Sequence, residues 1–529
     1  MPRWIRIAAW SGLLGSLVCF AIGCGPNIES HTQNKTRSTA IANPVSTSLG
    51  KSTAGISRDH PDESGFLLLD HGAAALSWRL GLADAAEQTI DAQYFLWKND
   101  TVGKVFMQRL LAAAKRGIRV RVLVDDSMTD SDPEYLAKFA SHPNVELRLY
   151  KPFGPKRKST VYRWLDYAAD LKILNKRMHN KLFVVDGSVA VVGGRNIGNE
   201  YFDYPGPFVF RCRDLLAIGP VVEETNSAFD LYWNSDWTVP IEQVVSPIPS
   251  RKAAEVFWNQ LGDLAEDNQS YPAGFFDSPF DWDVEALKSR LLWGKARLLV
   301  DAVPTIDDRP QSRDALRQTS VVLGQMVEQT QTDLEVETAY LILLEEGFEA
   351  LKRARDRGVN VVMATNSMAS NNHVSAFVGY WKQRDRLLAS GAKLFEMRPD
   401  AASERALFTP AQLSKYKTIF GLHCKTVVFD RRYVFVGSFN LDPRSVNLNC
   451  EMGFLIDSPE LARAVGASIG QDISPGNSWQ VMLGETGNVM WVTKKDGQVT
   501  IETGAEPMAS DKRRAAAKLL LVVPDDSQL

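Results

Sequence analysis

The chain has 529 residues, of which 45% are hydrophobic, enough length and apolar content for several domains with ordinary cores. Lys and Arg total 60 against 63 Asp and Glu, so the formal charge is −3 and the chain as a whole is no polycation. Five cysteines are too few for a disulfide framework.

Arg3 and Arg6 precede an apolar run from Ile7 to Ile22, followed by Gly23 and Cys24. This is the shape of a secretory signal. The run is short for a membrane-spanning helix, which needs about 20 residues. Ala21-Ile22-Gly23-Cys24 resembles a bacterial lipobox, departing from it at Ala21, where leucine is usual. Cys19 is a poorer candidate because Val18 precedes it. A lipid on Cys24 would anchor the protein at a membrane surface. The alternative is an uncleaved signal anchor. Both readings put the remainder outside the cytoplasm and tethered to a bilayer. Residues 25–64 are rich in Ser, Thr, Asn, Gly and Pro and read as a flexible tether, with order beginning near Phe66.

A strand–helix–strand pattern then occurs twice. TIDAQYFLW, VFMQRLLAAAKRG and IRVRVLVDD follow one another near residues 89–126. LEVETAYLIL, FEALKRARDRG and VNVVMATNS do the same near 334–367. Gly117 and Gly358 end the equivalent helices as C-caps. NVELRLYKP and GAKLFEMRP supply a further equivalent strand pair. The alternation predicts an α/β fold with a largely parallel sheet in each half.

Between 151 and 181 lie nine Lys/Arg and only Asp166 and Asp170 as acids, with Tyr162, Trp164 and Tyr167 interleaved. Such a segment suits an anionic membrane interface. Single-stranded nucleic acid and a merely solvated face are the alternatives. Residues 241–290 carry Pro and Gly but no copy of the repeat, and read as a connection with short helices. HVSAFVGYW (373–381) lines a substrate entrance or forms a buried helix face. The chain ends in a helix (PELARAVGASIG), a β-like region (NVMWVTKKDGQVTIE) and the tail DKRRAAAKLLLVVP. That tail reads as core packing, with membrane contact as the alternative.

Two stretches carry the chemistry. RMHNKLFVVDGSVAVVGGRN holds His179, Lys181, Asp186, Gly193 and Asn196. GLHCKTVVFDRRYVFVGSFN holds His423, Lys425, Asp430, Gly437 and Asn440. Both read H-x-K-x4-D-x6-G-x2-N, and every matched position is offset by 244 residues, as from 179 to 423. Two copies in register indicate an internal duplication. LFVVD and TVVFD read as buried strands, where His and Lys two apart share a face. A neutral imidazole can attack phosphorus or move a proton, and a lysine ammonium can fix a phosphate oxygen. Duplicated, they give two His and two Lys around one phosphodiester, one His attacking and the other protonating the leaving oxygen. Lysine is no metal ligand at neutral pH, and the spacing is not that of a zinc site, so no metal or other cofactor is expected.

These motifs resemble the HKD motifs of the phospholipase D superfamily. RMHNKLFVVDG, VGGRNIGNEYF, LLAIGPVVEE and VGSFNLDPRSVNLNCEMG resemble bacterial cardiolipin synthases of the C type most closely. The resemblance covers residues 65–529. It implies two α/β/α sandwich domains sharing one active site at their interface. These would be residues 65–240 and 291–529, the second with a C-terminal extension, joined by 241–290. Residues 1–24 form the signal peptide and 25–64 the tether. It implies catalysis by His179, Lys181, Asp186, His423, Lys425 and Asp430, with the two aspartates supporting rather than reacting. Asn196 and Asn440 would bind phosphoryl oxygens, and Asp214 and Glu451 would be the acids that orient the histidines. The implied function is a membrane-tethered phosphatidyltransferase making cardiolipin, acting on phospholipids at a bacterial membrane, with no nucleic acid partner. The alternatives are a hydrolase using water, whether phospholipase or nuclease, and a non-catalytic lipid-binding relic.

Overall fold

The computed structural model describes residues 35–127, 133–152, 175–266, 287–304, 316–495 and 498–521. Cys24 and most of the basic, aromatic stretch (153–174) lie outside them.

The first half supplies β1 (Ser64–Leu69), β2 (Thr89–Tyr94), β3 (Arg119–Asp125), β4 (Val145–Tyr150), β5 (Leu182–Val185), β6 (Val189–Gly193), β7 (Phe208–Arg211), β8 (Asp214–Ile218) and β9 (Thr238–Pro240). All but β7 line up as β1-β8-β6-β5-β2-β3-β4-β9. The second half supplies β10 (Leu292–Val300), β11 (Asp333–Thr338), β12 (Asn360–Asn366), β13 (Lys393–Met397), β14 (Ile419–Leu422), β15 (Lys425–Phe429), β16 (Tyr433–Gly437), β17 (Met452–Asp457) and β18 (Ser478–Leu483). All but β14 repeat the order as β10-β17-β16-β15-β11-β12-β13-β18. β19 (Val489–Lys495) and β20 (Gln498–Thr503) extend it. β1 and β10 pair antiparallel, Ser64 opposite Gly294, and join the halves into one 18-stranded sheet.

The expectation of a largely parallel sheet needs correcting. Within the 18-stranded sheet of the described residues only β2-β3-β4 and β11-β12-β13 run parallel. Each motif forms a tight hairpin, β5–β6 or β15–β16, which must be antiparallel, and the next strand pairs antiparallel to it as well. The motif strands read as unbroken apolar runs because both faces are covered. Phe183 and Val185 face one core with Phe106, whereas Leu182 and Val184 face another. That second core also takes Val434, Val436 and Phe454, so it is shared between the halves. The helices Thr101–Lys115 and Glu345–Asp356 end at Gly117 (φ 97°) and Gly358 (φ 85°), in the left-handed region that glycine adopts without strain.

Residues 35–64 do not behave as a loose tether. A helix at Ser48–Ile56, capped by the Thr47 hydroxyl, buries Leu49 and Ile56 in the first core. Arg121 and the Trp233 indole donate to Ser38, and Arg119 donates to the Thr39 carbonyl. The polar composition concealed a segment held by its backbone N–H and carbonyl groups, its hydroxyls and two buried apolar side chains. The connection is also more than a linker. Its helix Arg251–Glu266 buries Ala254, Phe257 and Leu261, and Phe257 and Leu261 join the first core. HVSAFVGYW opens the helix Val374–Ala389 and buries Phe377, Val378 and Tyr380, which is the buried-face reading. The tail begins as the helix Asp511–Leu520, with Ala517 in the second core and Leu519 exposed.

Candidate active site

The backbone brings the two motifs together. The strand-like lead into the first motif pairs with the second half: His179 N–H donates to the Cys450 carbonyl (2.8 Å), and Cys450 N–H to the Arg177 carbonyl (2.7 Å). The lead into the second motif pairs with the first half, because β14 runs parallel to β7 and His423 N–H donates to the Arg211 carbonyl (2.7 Å). Each histidine therefore sits against the other half's strand. Arg444 adds a further tie, donating to the Asn175 side chain (2.7 Å) and carbonyl (3.0 Å).

His179 Nδ1 lies 2.8 Å from Glu451 Oε2 and 3.1 Å from the Ser438 carbonyl. Neither partner offers a proton when Glu451 is ionised, so Nδ1 carries the hydrogen and Nε2 keeps its lone pair. Glu451 accepts from the Ser438 hydroxyl (2.5 Å) and the Asn449 amide (3.3 Å). Burial pushes the Glu451 carboxyl up to about 7, opposed by Lys181 and these donors. Burial, then Lys181, Lys425 and Arg444, hold His179 well below the usual imidazole range, so it rests neutral. The Phe95 ring packs edge-on against it, centroids 4.9 Å apart.

Among the described residues His423 has no such acid. Its Nδ1 lies 3.5 Å from the Cys212 thiol, and the Gly194 backbone is a further partner of the ring. Phe210 and Tyr201 pack on the ring at 4.8 and 5.3 Å. Burial, then Lys425, Lys181 and His179, depress its pKa well below the usual value. Asp214, expected to orient a histidine, does not. Its carboxylate accepts from Arg79 (2.8 Å) and from the Arg195 backbone N–H (3.2 Å), and it lies across the strand pair from Gly193. A Cβ on Gly193 would fall 2.2 Å from Asp214 Oδ1, so the side chain fills the space the glycine leaves. Glu451, the other expected acid, does reach a motif histidine.

Lys181 Nζ donates to the His179 carbonyl (2.5 Å) and Lys425 Nζ to the His423 carbonyl (2.9 Å), so both ammonium groups are aimed back at the histidines. Burial lowers both pKa values, Lys425 to about 8. A bound phosphodiester anion would supply the missing counter-charge. Asn196 and Asn440 are buried, and the Oδ1 of each lacks a partner among the described residues. Asn196 Nδ2 reaches Tyr201 Oη at 3.3 Å. These amides suit the neutral hydrogen bonds expected of them.

Asp186 and Asp430 stand apart from the histidine rings. Asp186 accepts from the backbone N–H groups of Glu87, Gln88 and Thr89, at 2.8–2.9 Å. Asp430 accepts from those of Gln331, Thr332 and Asp333, at 2.7–3.2 Å. Each pins the start of the neighbouring antiparallel strand, β2 or β11, to the end of a motif strand, a supporting role. Cys212, Ser438, Phe95 and Tyr201 escaped the sequence reading. Only the repeat's register could have shown Cys212 and Ser438, and the rings have no motif at all.

Comparison with known proteins fits this geometry. The family described as cardiolipin synthase, phospholipase D-like domain, matches residues 80–233 and again 323–473. Cardiolipin synthase C of Escherichia coli (strain K12) is 34% identical over 466 residues, spanning 88% of this chain and 96% of that protein. The chain belongs to the phospholipase D-like cardiolipin synthase family. Cardiolipin synthase B of Shigella flexneri is 24% identical over 376 residues, 70% of this chain and 71% of that protein. The solved phosphatidylserine synthase of Haemophilus influenzae Rd KW20 shares the fold, with a TM-score of 0.52, 14% identity and coverage of 81% of this chain and 91% of that one. Membership makes this a phospholipase D-family phosphatidyltransferase with phospholipid substrates. The twin matched segments are its duplicated domains. Among the described residues no helix is long and apolar enough to cross a membrane.

Proposed function

We propose that this member of the family makes cardiolipin from phosphatidylglycerol and a second phospholipid through a phosphohistidine. The observation that carries the reading is His179, with Nδ1 held by Glu451, Nε2 without a hydrogen-bond partner among the described residues, and the lysines of both halves near enough to act on the ring. His179 Nε2 attacks the phosphorus of the donor lipid and forms a P–N bond. The bond to the headgroup oxygen breaks, and His423 protonates that oxygen. His423 then takes the proton of the acceptor lipid's hydroxyl, whose oxygen attacks phosphorus and breaks the P–N bond. Lys181, Lys425, Asn196 and Asn440 hold the phosphoryl oxygens as charge develops. Transfer rather than hydrolysis requires exclusion of water and a lipid hydroxyl bound beside His423. Phosphatidylethanolamine is the expected co-substrate.

The reading includes attachment at a bacterial membrane through Cys24, with the catalytic part outside the cytoplasm. Tethering would raise the local lipid concentration. Cys24→Ser is expected to leave an unprocessed precursor, seen as a larger intact mass, and an unchanged mass would remove the anchor. For the activity, vesicles of labelled phosphatidylglycerol, with and without phosphatidylethanolamine, should yield cardiolipin as the main product. Phosphatidic acid dominating in every mixture would make the protein a phospholipase. DNA cleavage without lipid turnover would make it a nuclease.

A further inference from the structure

The sheet register shows that the two histidines are held differently. Gly193 lies opposite Asp214, and its counterpart Gly437 lies opposite Gly453. Two residues before each partner come Cys212 and Glu451, so the cysteine occupies the place of the acid. The backbone agrees. Arg211 accepts from His423 N–H as Cys450 accepts from His179 N–H. Arg213 accepts from Gly194 N–H as Met452 accepts from Ser438 N–H. The acid's own support is exchanged too: Ser438, whose hydroxyl donates to Glu451, corresponds to Gly194, which has no side chain. Acid and hydroxyl are thus replaced together by thiol and hydrogen.

We propose that Cys212 is the positioning residue of His423, holding the ring in place together with the Gly194 backbone while withholding the negative charge that Glu451 gives His179. The proposal rests on the reading that both histidines serve one phosphoryl transfer. Cys212 is fully buried, and burial pushes its thiol up to about 12, so it stays neutral. Among the described residues the other groups facing His423 are Lys425 on its own segment, Lys181 and His179 from the first motif, and the Tyr201 phenol and Phe210 ring. All are cationic or uncharged. His423 therefore rests as the free base and becomes imidazolium only when a phosphodiester anion occupies the site. Once it has protonated the leaving alcohol it returns to the neutral base that the acceptor hydroxyl needs. His179, beside Glu451, is the ring that can carry positive charge as it takes the phosphoryl group. A single duplicated frame thereby yields one covalent and one proton-shuttling histidine.

The test compares the parent chain with Cys212→Asp and with its uncharged isostere Cys212→Asn. Imidazole titrations are read by NMR on 15N-histidine-labelled protein, with His423→Gln assigning the His423 signals. The Asp variant should raise the His423 pKa by about one unit or more, while the Asn variant stays near the parent. The pH above which headgroup release falls should move up in the Asp variant alone, since an acid catalyst is lost as pH rises through its pKa. Equal titration in all three proteins, or equal shifts with Asp and Asn, would overturn the proposal. If the Asp variant does not fold, Cys212→Ala should lower kcat roughly 10- to 100-fold with KM unchanged, and Cys212→Ser should restore most of it. An unchanged kcat in the Ala variant would overturn it equally. The ring titration needs no turnover, so a parent without lipid activity would refute the transfer reading and leave the Cys212 question decidable.

Discussion

The two halves repeat one eight-strand order, yet they surround their histidines with different chemistry. In one place a carboxylate held by a hydroxyl stands behind His179; in the other a neutral thiol and a bare glycine stand behind His423. The lesson is that a duplication preserves what the backbone needs, namely register, hairpins and the aspartate pins. It is free to diverge where a directional reaction needs two different groups. A symmetric phosphodiester site would work equally in either sense, whereas phosphatidyl transfer needs one nitrogen for phosphorus and one for protons.

The largest effects should fall on the rings themselves. His179→Ala and His423→Ala are each expected to lower kcat by about 10^4-fold or more, and the double variant should lose little further, because the groups act as a unit. Steady-state release of the lipid headgroup reads this, and near-normal turnover in either single variant would split the shared site.

Next comes the acid that distinguishes the halves. Glu451→Gln keeps the shape but not the charge, and should cost about 10^2- to 10^4-fold in kcat. Burial raises the Glu451 carboxyl to about 7, so its carboxylate is lost as pH falls through that value. The parent's kcat/KM should decline on that side, and the Gln variant should lack this limb. A retained acidic limb in the variant would assign it to another group.

The aspartate pins should matter to stability before catalysis, and unequally. Asp186 is fully buried, and its removal leaves the buried Thr89 N–H without its acceptor, at a cost of about 1–3 kcal/mol. The donors around Asp430 at Gln331 and Thr332 are exposed, so water can replace the carboxylate there. Thermal melts should therefore show a larger drop in Tm for Asp186→Ala than for Asp430→Ala. Equal drops would mean that the two motif ends are not distinguished by solvent.

The smallest expected effect is that of chelation. Lys181 and Lys425 supply the positive charge at the site, so exhaustive treatment with a chelator should leave turnover unchanged. Loss of activity with rescue by a single divalent ion would contradict this.

Much of this was legible in the sequence because the motif is short and contiguous. His179, Lys181, His423 and Lys425 stand in fixed spacing on strands, and strand geometry puts each pair on one face. The duplicated α/β order was legible from apolar runs and the glycine caps. The histidines' partners were not. By position Asp214 reads as the acid after the motif, but the segment between motif and partner strand is five residues longer in the first half. The 244-residue offset at the histidines (179 to 423) becomes 239 at the partner strands (214 to 453). That slip conceals Cys212 behind a nearby acid. The packing of residues 38–56 was hidden for another reason. It depends on Arg119, Arg121 and Trp233 reaching that segment's carbonyls and hydroxyls, which no local composition reveals.

The central claim is that His179 takes the phosphoryl group and His423 moves the proton. A phosphatidyl ester of p-nitrophenol separates these roles, because nitrophenolate leaves without a proton. With the His423→Ala protein, nitrophenolate should be released in a burst, the acceptor step should stall, and mass spectrometry of a rapid digest should find the phosphatidyl group on the peptide containing His179. The account is contradicted if the adduct forms on His423 in the His179→Ala protein, or if neither variant ever carries it.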